Sequence, residues 1–489
     1  MRCAISLLAL ALCVLPGHAE EDKTRDARPV SWEAQLRQGM ELLREKKYSE
    51  ARTCFQRTTE LNPRSAEGFF YLGMSTLHLG DRAAAEAFLR RAVKLDPAGV
   101  NALYNLGVLL MEEHKPAEAA AYFERAKKAG PLTQELAVNL ARAYLESGKN
   151  QGALEAIESA GRRFPQDAAL YLATGQLLYQ HGLSTRACTE LAKAASLEKG
   201  SAEIAVPMIA ACLAGGNVAN ARVALAEIPE RERSSAQYHS LSAQVSLAAG
   251  DKQAALEEMN SAVRSEPQNP VLLLELGRVQ QKCGEQQKAI EVLEKAAAIA
   301  PDLPEIPYSM AVSYITAEDD QRAIELLARA LKLAPQFDRA LFFLGSIHLS
   351  RDRLNDADRL LSEALRLAPQ NPFYHCFLGM LRARQNRTAE AEQQFRQAEA
   401  ISPSYALPHF HMGRLLERAG KSADAEAELE KAVSMQPDMA EAYYQLGLLL
   451  NKRGEKEKAE QALARFKSLR DAESSEREIV LKELQETVR

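Results

Sequence analysis

The residues with the right types for chemistry are few, and their spacing works against each candidate. The stretch Gly413 to Ser422, GRLLERAGKS, ends like a phosphate-cradling loop. Such a loop needs four residues between its glycines and a strand before it, so that successive backbone N–H groups wrap a phosphate. Here six residues separate Gly413 from Gly420, and the preceding stretch has helical spacing. Gly420 also falls where Gly80, Gly148, Gly182 and Gly284 fall in their own stretches, which reads as a turn. His409 and His411 are two apart, so a helix sends them to different faces and they form no metal pair. His375 and His409 occupy equivalent places, but two imidazoles without a carboxylate or thiolate partner read as structural. Asn386-Arg387-Thr388 matches a glycosylation acceptor, which matters only in a host that glycosylates exported proteins. No nucleophile, base and orienting group converge anywhere. Catalysis is therefore not expected, and neither a metal nor a cofactor is implied.

The cysteines give little more. Cys3 and Cys13 lie in an apolar start, and five follow: Cys54, Cys188, Cys212, Cys283 and Cys376. Their odd number and scattered spacing do not make a disulfide framework, so they read as small buried hydrophobes. Cys188 with Cys212, in neighbouring helices, is the one conceivable pair.

What positions all these residues is a unit of thirty-four. Its clearest copy begins at Val100 and reads VNALYNLGVLLMEEHKPAEAAAYFERAKKAGPLT. Leu103, Leu106, Gly107 and Leu110 form one helical stripe; Ala119, Phe123 and Ala126 form a second. The polar run Glu113-His114-Lys115-Pro116 separates them, and Pro131 ends the unit because proline cannot continue a helix. Steps of thirty-four from Ala119 reach alanine at all thirteen positions from Ala51 to Ala459, with no insertion between them. Steps from Gly107 reach nine glycines, three alanines (Ala141, Ala243, Ala311) and Ile209. Small residues let two helix axes approach to about 8 Å. Gly107, Ala119, Ala126, Gly345, Ala357 and Ala364 are accordingly predicted at helix crossings. One hairpin cannot bury both stripes alone, so the units must stack.

The period, the L-G-x-x-Y-type first helix and the A, F/L, A second helix followed by proline resemble the tetratricopeptide repeat. Ala440–Phe466 and Asp338–Pro369 carry the resemblance well, and it spans residues 32 to 473. It implies an all-α fold, a right-handed α-solenoid of about thirteen helix-turn-helix repeats. Relatives hold ligands on a concave surface lined by first helices. Carried over, the fifth position of each unit faces inward, with Phe70, Tyr104, Tyr308, Phe342, Phe410 and Tyr444. Four residues on come Met74 and Arg414, with Arg142 at the same place. Such a stripe suits an extended or helical peptide, and Asn105, Asn139 and Arg142 are placed to hydrogen-bond its backbone. The same large residues also suit the gap between consecutive first helices. As ligand anchors, Phe342 and Phe410 are expected only to edge the core. Some relatives clamp a terminal carboxylate with lysine and asparagine, but Tyr104 stands at the lysine place and Met40, Met74 and Val108 at the asparagine place.

With 61 basic and 66 acidic residues, the net charge of −5 leaves no basic excess for a nucleic-acid backbone. Arg2, the apolar run Cys3–Leu15 and Ala19 have the order of a cleaved export signal over residues 1–19. That run is short of the roughly 20 residues a membrane span needs, and no later segment supplies one. A lipid-bearing cysteine at Cys13 fits less well, since Leu12 precedes it. A charged, aperiodic lead is expected over 20–31, then regular repeats over 32–167 and weaker ones over 168–269. In that middle Lys199 and Arg233 replace the closing prolines, Pro207 should kink or shorten its helix, and Arg231–Ser235 reads as a surface linker. A hinge is expected there. Regular repeats return over 270–473. Ser475, Glu478 and the stripe Leu481, Leu484, Val488 give a capping helix over 474–489. The implied function is an exported, non-catalytic scaffold for a protein or peptide, located in a periplasm or secreted. The alternative is an accessory arm of an envelope assembly or polysaccharide-export machine.

Overall fold

The computed structural model describes residues 31–470. The export signal, all but the last residue of the lead and the capping helix lie outside them. Among the described residues there are 26 α-helices, one short 3-10 turn and no strand. The chain divides into two compact units, one ending at Pro165 and one beginning at Gln166.

The first unit holds four hairpins. They are α1 (Trp32–Arg44) with α2 (Tyr48–Leu61), α3 (Ala66–His78) with α4 (Arg82–Leu95), α5 (Val100–Glu112) with α6 (Pro116–Ala129), and α7 (Gln134–Glu146) with α8 (Asn150–Arg163). The second unit holds nine. It begins with α9 (Ala168–Gln180), α10 (Ser184–Leu197), α11 (Ala202–Ala214), α12 (Val218–Glu227), α13 (Ala236–Ala248) and α14 (Lys252–Ser265). It continues with α15 (Pro270–Cys283), α16 (Gln286–Ile299), α17 (Glu305–Thr316), α18 (Asp320–Leu333), α19 (Asp338–Ser350) and α20 (Leu354–Leu367). It ends with α21 (Pro372–Arg384), α22 (Thr388–Ile401), α23 (Ala406–Arg418), α24 (Ser422–Met435), α25 (Ala440–Lys452) and α26 (Lys456–Arg470).

Local chemistry sets the helix ends. Ser31, the last residue of the expected lead, caps α1 by accepting from the Ala34 N–H at 3.2 Å. Thr133, Asp167 and Asn371 cap α7, α9 and α21 in the same way, each satisfying an N–H that the helix itself leaves free. Between the two helices of every hairpin one residue has positive φ. Eight of these thirteen are glycine, and five are Lys46, His114, Glu318, Asp352 and Asn386.

Packing is tight at the expected crossings. A Cβ on Gly107 would stand 2.5 Å from the Phe123 ring, and one on Gly345 would stand 2.9 Å from Leu361. Ala119, Ala126, Ala357 and Ala364 are fully buried. Phenylalanine opposes only glycine at these crossings, and the other glycines oppose leucine. Gly39, Gly107 and Gly379 face Phe55, Phe123 and Phe395. Where the first helix carries Ala141, Ala243 or Ala311 instead, the residue sixteen further on is Ile157, Met259 or Leu327, not phenylalanine. An extra methyl thus excludes phenylalanine from the opposing place.

The middle repeats differ from expectation in two ways. Pro207 does not shorten α11, which keeps 13 residues with the proline inside; it stands near the start, where it removes one intrahelical bond. The shortening falls on α12, with 10 residues. The segment after it is a 3-10 turn, Glu230–Glu232, rather than a plain linker. There Arg233, which replaces a closing proline, donates to the carbonyls of Ala226 (2.7 Å) and Ile228 (3.0 Å). Cys188 on α10 and Cys212 on α11, the one pair that the spacing allowed, form a disulfide between successive repeats, with Cα atoms 4.7 Å apart. Cys54 and Cys376 are buried free thiols and Cys283 a half-buried one.

Candidate functional site

The groove positions separate into two kinds once each is placed in its helix. In the first unit they stay accessible. Phe70 and Met74 on α3 and Tyr104 on α5 are only partly buried, and Arg142 on α7 is exposed. Phe70 meets Tyr71 edge-on at 5.0 Å, and Tyr71 stacks on Phe55 in the core. The outer ring is thus supported by an inner one. Burial raises the Tyr104 phenol above its ordinary value, so its oxygen stays protonated and accepts from Asn139 Nδ2 at 2.9 Å. That bond joins α5 to α7. Asn105 turns back on its own helix and donates to the Asn101 carbonyl at 2.8 Å. Both asparagines expected to read a ligand backbone are therefore already engaged within the protein.

In the second unit the expected anchors are core residues. Tyr308, Phe342 and Phe410 are 3%, 1% and 2% exposed. Phe342 stacks on Tyr374 and meets Phe377 edge-on, both at 4.8 Å, and both rings belong to the next first helix. Of the two roles open to these side chains, filling the gap between consecutive first helices describes Phe342. The expectation that Phe342 and Phe410 merely edge the core is corrected. The reason is the large residues packed with each ring, Phe343, Tyr374 and Phe377 for Phe342 and Tyr405, Leu407 and Leu446 in the cluster that holds Phe410. Arg414 lies over Phe410 with its guanidinium 5.5 Å from the ring centre. Tyr444 on α25 remains 40% exposed, as does Leu448 one turn on.

Three histidines tie the two helices of their hairpins together, a pattern the sequence reading missed, and His409 has a carboxylate partner that was not expected. His239, His375 and His409 share one place in their first helices. Each bonds through Nδ1 to the residue nineteen further on, in the paired second helix. The partners are Glu258 at 2.7 Å, Gln394 at 2.8 Å and Glu428 at 2.6 Å. His411 lies against Phe395 and Phe410, and burial pulls it down to about 3, so it is neutral at ordinary pH. Gly420 has φ +75° in the turn before α24, as its turn reading requires. Among the described residues no helix is long and apolar enough to cross a membrane.

Several solved structures resemble the chain. The crystal structure of the APC/C hetero-tetramer Cut9-Hcn1 is 14% identical with TM-score 0.46, covering 93% of this chain and 96% of that one. A tetratricopeptide repeat protein from Parabacteroides merdae is 21% identical with TM-score 0.42, covering 51% and 97%. Yeast Tom70 is 16% identical with TM-score 0.38, covering 93% and 95%. No curated protein sequence matches. Tetratricopeptide-repeat family models match residues 110–177, 178–245, 246–313 and 314–384 in unbroken succession, and further ones match 36–100, 77–132, 410–474 and 372–397. With more than half of its length under one such model and the same hairpin repeated thirteen times, the chain belongs to the tetratricopeptide repeat family.

Proposed function

We propose that the chain is a non-catalytic scaffold that works outside the cytoplasm and holds a peptide or protein segment along its first-helix faces. The observation that carries the reading is the row in the first unit. Phe70, Met74 and Tyr104 keep apolar surface open beside Arg142, which has no ion pair among the described residues. Apolar anchors flanked by an unpaired cation suit a segment of mixed character. Two features support the location. Residues 1–19 have the order of an export signal, and disulfides such as Cys188–Cys212 persist in oxidising compartments.

The test has two parts. The mature chain should start near Glu20 and be recovered from the exported fraction, as N-terminal sequencing would read. The wild-type protein should then capture a partner from that fraction that a Phe70→Ala, Met74→Ala double variant loses. Buried anchors of this type are worth about 2 kcal/mol or more, so the affinity should fall at least about thirtyfold. A partner held equally by the double variant, but lost on changing Glu363 or Lys332 on α20 and α18, would move the function to the other helix face.

A further inference from the structure

Three successive first helices of the second unit leave polar groups of opposite kind without partners in one place. The ring of Tyr308 on α17 is clamped by Phe337 at 4.9 Å and Phe343 at 5.7 Å, yet its buried hydroxyl makes no hydrogen bond. One turn earlier on α17, Oε2 of Glu305 is buried and makes none either. Arg278 on α15, which packs against α17, donates a single long bond from Nε to Ser309 Oγ at 3.4 Å. Neither Arg278 nor Arg339 on α19 has an ion pair among the described residues, though both act electrostatically on the Tyr308 phenol. The nearby carboxylates are accounted for differently. Glu275 accepts from Ser240 at 2.6 Å and Asp338 accepts from Tyr374 at 2.8 Å.

An unpaired buried donor or acceptor is costly, and native structures contain few. A donor, a second donor with spare N–H groups and an acceptor left open together therefore call for one ligand group. Charge and donor count together say which. Two positive groups, Arg278 and Arg339, stand against three carboxylates, Glu275, Glu305 and Asp338, so the patch has no positive excess to draw an anion, and a cation brings no acceptor for Tyr308 and Arg278. The matching group is neutral and both donates and accepts. We propose that this patch binds a carboxamide of the held segment, its C=O accepting from Tyr308 and Arg278 and its N–H donating to Glu305. The phenol is pushed up to about 12, mainly by burial, so it is a donor at every working pH. Arg339 has a long side chain that no carboxylate pins, so it turns aside to admit the group, while Arg278 brings its spare N–H groups to the C=O and the Tyr308 ring stays clamped. The proposal rests on the peptide-binding reading above. The carboxamide has two sources, the peptide backbone and the side chain of asparagine or glutamine.

The probe is an array of random-sequence peptides applied to the full chain and to its Tyr308→Phe and Glu305→Met variants. Each variant should weaken the best-binding peptide about threefold to tenfold, as for one hydrogen bond. Methylating one backbone nitrogen of that peptide should remove the difference between wild type and Glu305→Met if the backbone is the source. Replacing its asparagine or glutamine by leucine should remove it if the side chain is. Tyr308→Phe should melt no lower than wild type, because the lost hydroxyl had no partner. A lower melting temperature would show a structural bond and overturn the assignment. So would peptides that Phe70→Ala weakens but that bind both α17 variants like wild type, an outcome that leaves the scaffold reading standing. Failure of every peptide to bind wild type would remove that reading and this one together.

Discussion

Phe342 shows how one side chain can satisfy two expectations and be decided only by its neighbours. Its place in the repeat faces the ligand surface in relatives, but here Tyr374 and Phe377 close over it. Phe342→Ala should therefore cost about 3–5 kcal/mol, the usual range for a large buried ring. Denaturant unfolding would read that loss, and unchanged stability would return the ring to the groove surface. The crossing residues were legible because sterics admit so few types there: a Cβ at Gly107 has nowhere to go. Burial at the fifth position was not legible, because it depends on the third and sixth residues of the next repeat, and no local pattern ties them together. The turn position lies between these cases. Five glycines were read as turn residues, yet His114 and Glu318 adopt the same positive φ without being glycine. A left-handed backbone costs such residues about 1–2 kcal/mol, part of which glycine returns as chain entropy. His114→Gly and Glu318→Gly should each raise stability by up to about 1 kcal/mol. A fall in melting temperature for both would mean that their side chains contribute more than the backbone loses.

At the level of the helix, what matters is which face the next helix covers. Phe342 and Phe410 are 1% and 2% exposed, whereas Tyr444, at the same place in the last described repeat, is 40% exposed. Phe342 is covered because the next first helix brings Tyr374 and Phe377 against it, whereas Tyr444 and Leu448 keep apolar surface open among the described residues. The sequence offers an occupant in the stripe Leu481, Leu484, Val488, outside the described residues. Removing residues 471–489 should lower the denaturation midpoint, and adding back a peptide of that sequence should restore part of it. An unchanged midpoint would leave Tyr444 and Leu448 as open binding surface. The short α12 makes the same point from the other side. Its missing last turn was announced by Arg233 in place of proline, but not the use of that arginine to cap the carbonyls the helix gives up. A substitution tells where a pattern breaks, while the repair depends on three-dimensional reach.

For the molecule as a whole, two compact units and one disulfide make a joint prediction. Calorimetry should resolve two transitions, one for each unit, since cooperative unfolding follows contiguous packed regions. Cys188–Cys212 closes a loop with a sequence separation of 24, inside the unit that begins at Gln166. A loop of that size is worth about 3 kcal/mol in the chain-entropy account. Reduction should therefore lower one transition and leave the other in place. A single transition, or two that shift together, would refute the independence of the units. The number and register of the repeats were fully legible, because a fixed period of thirty-four leaves no freedom. The sequence passes from regular to weaker repeats at 167/168, close to the division after Pro165, although Ala153 and Ala187 keep strict register on either side of it.

The thirteen left-handed turn residues have a practical consequence. All of them are exposed, from Lys46 at the first hairpin to Gly454 at the last, and none holds a side chain that the core needs. Exposed loop tips are where chains best accept added sequence. Each hairpin thus offers one insertion port at a known spacing, and short epitopes placed after His114 and Asp352 would mark the two units separately for labelling in the living cell.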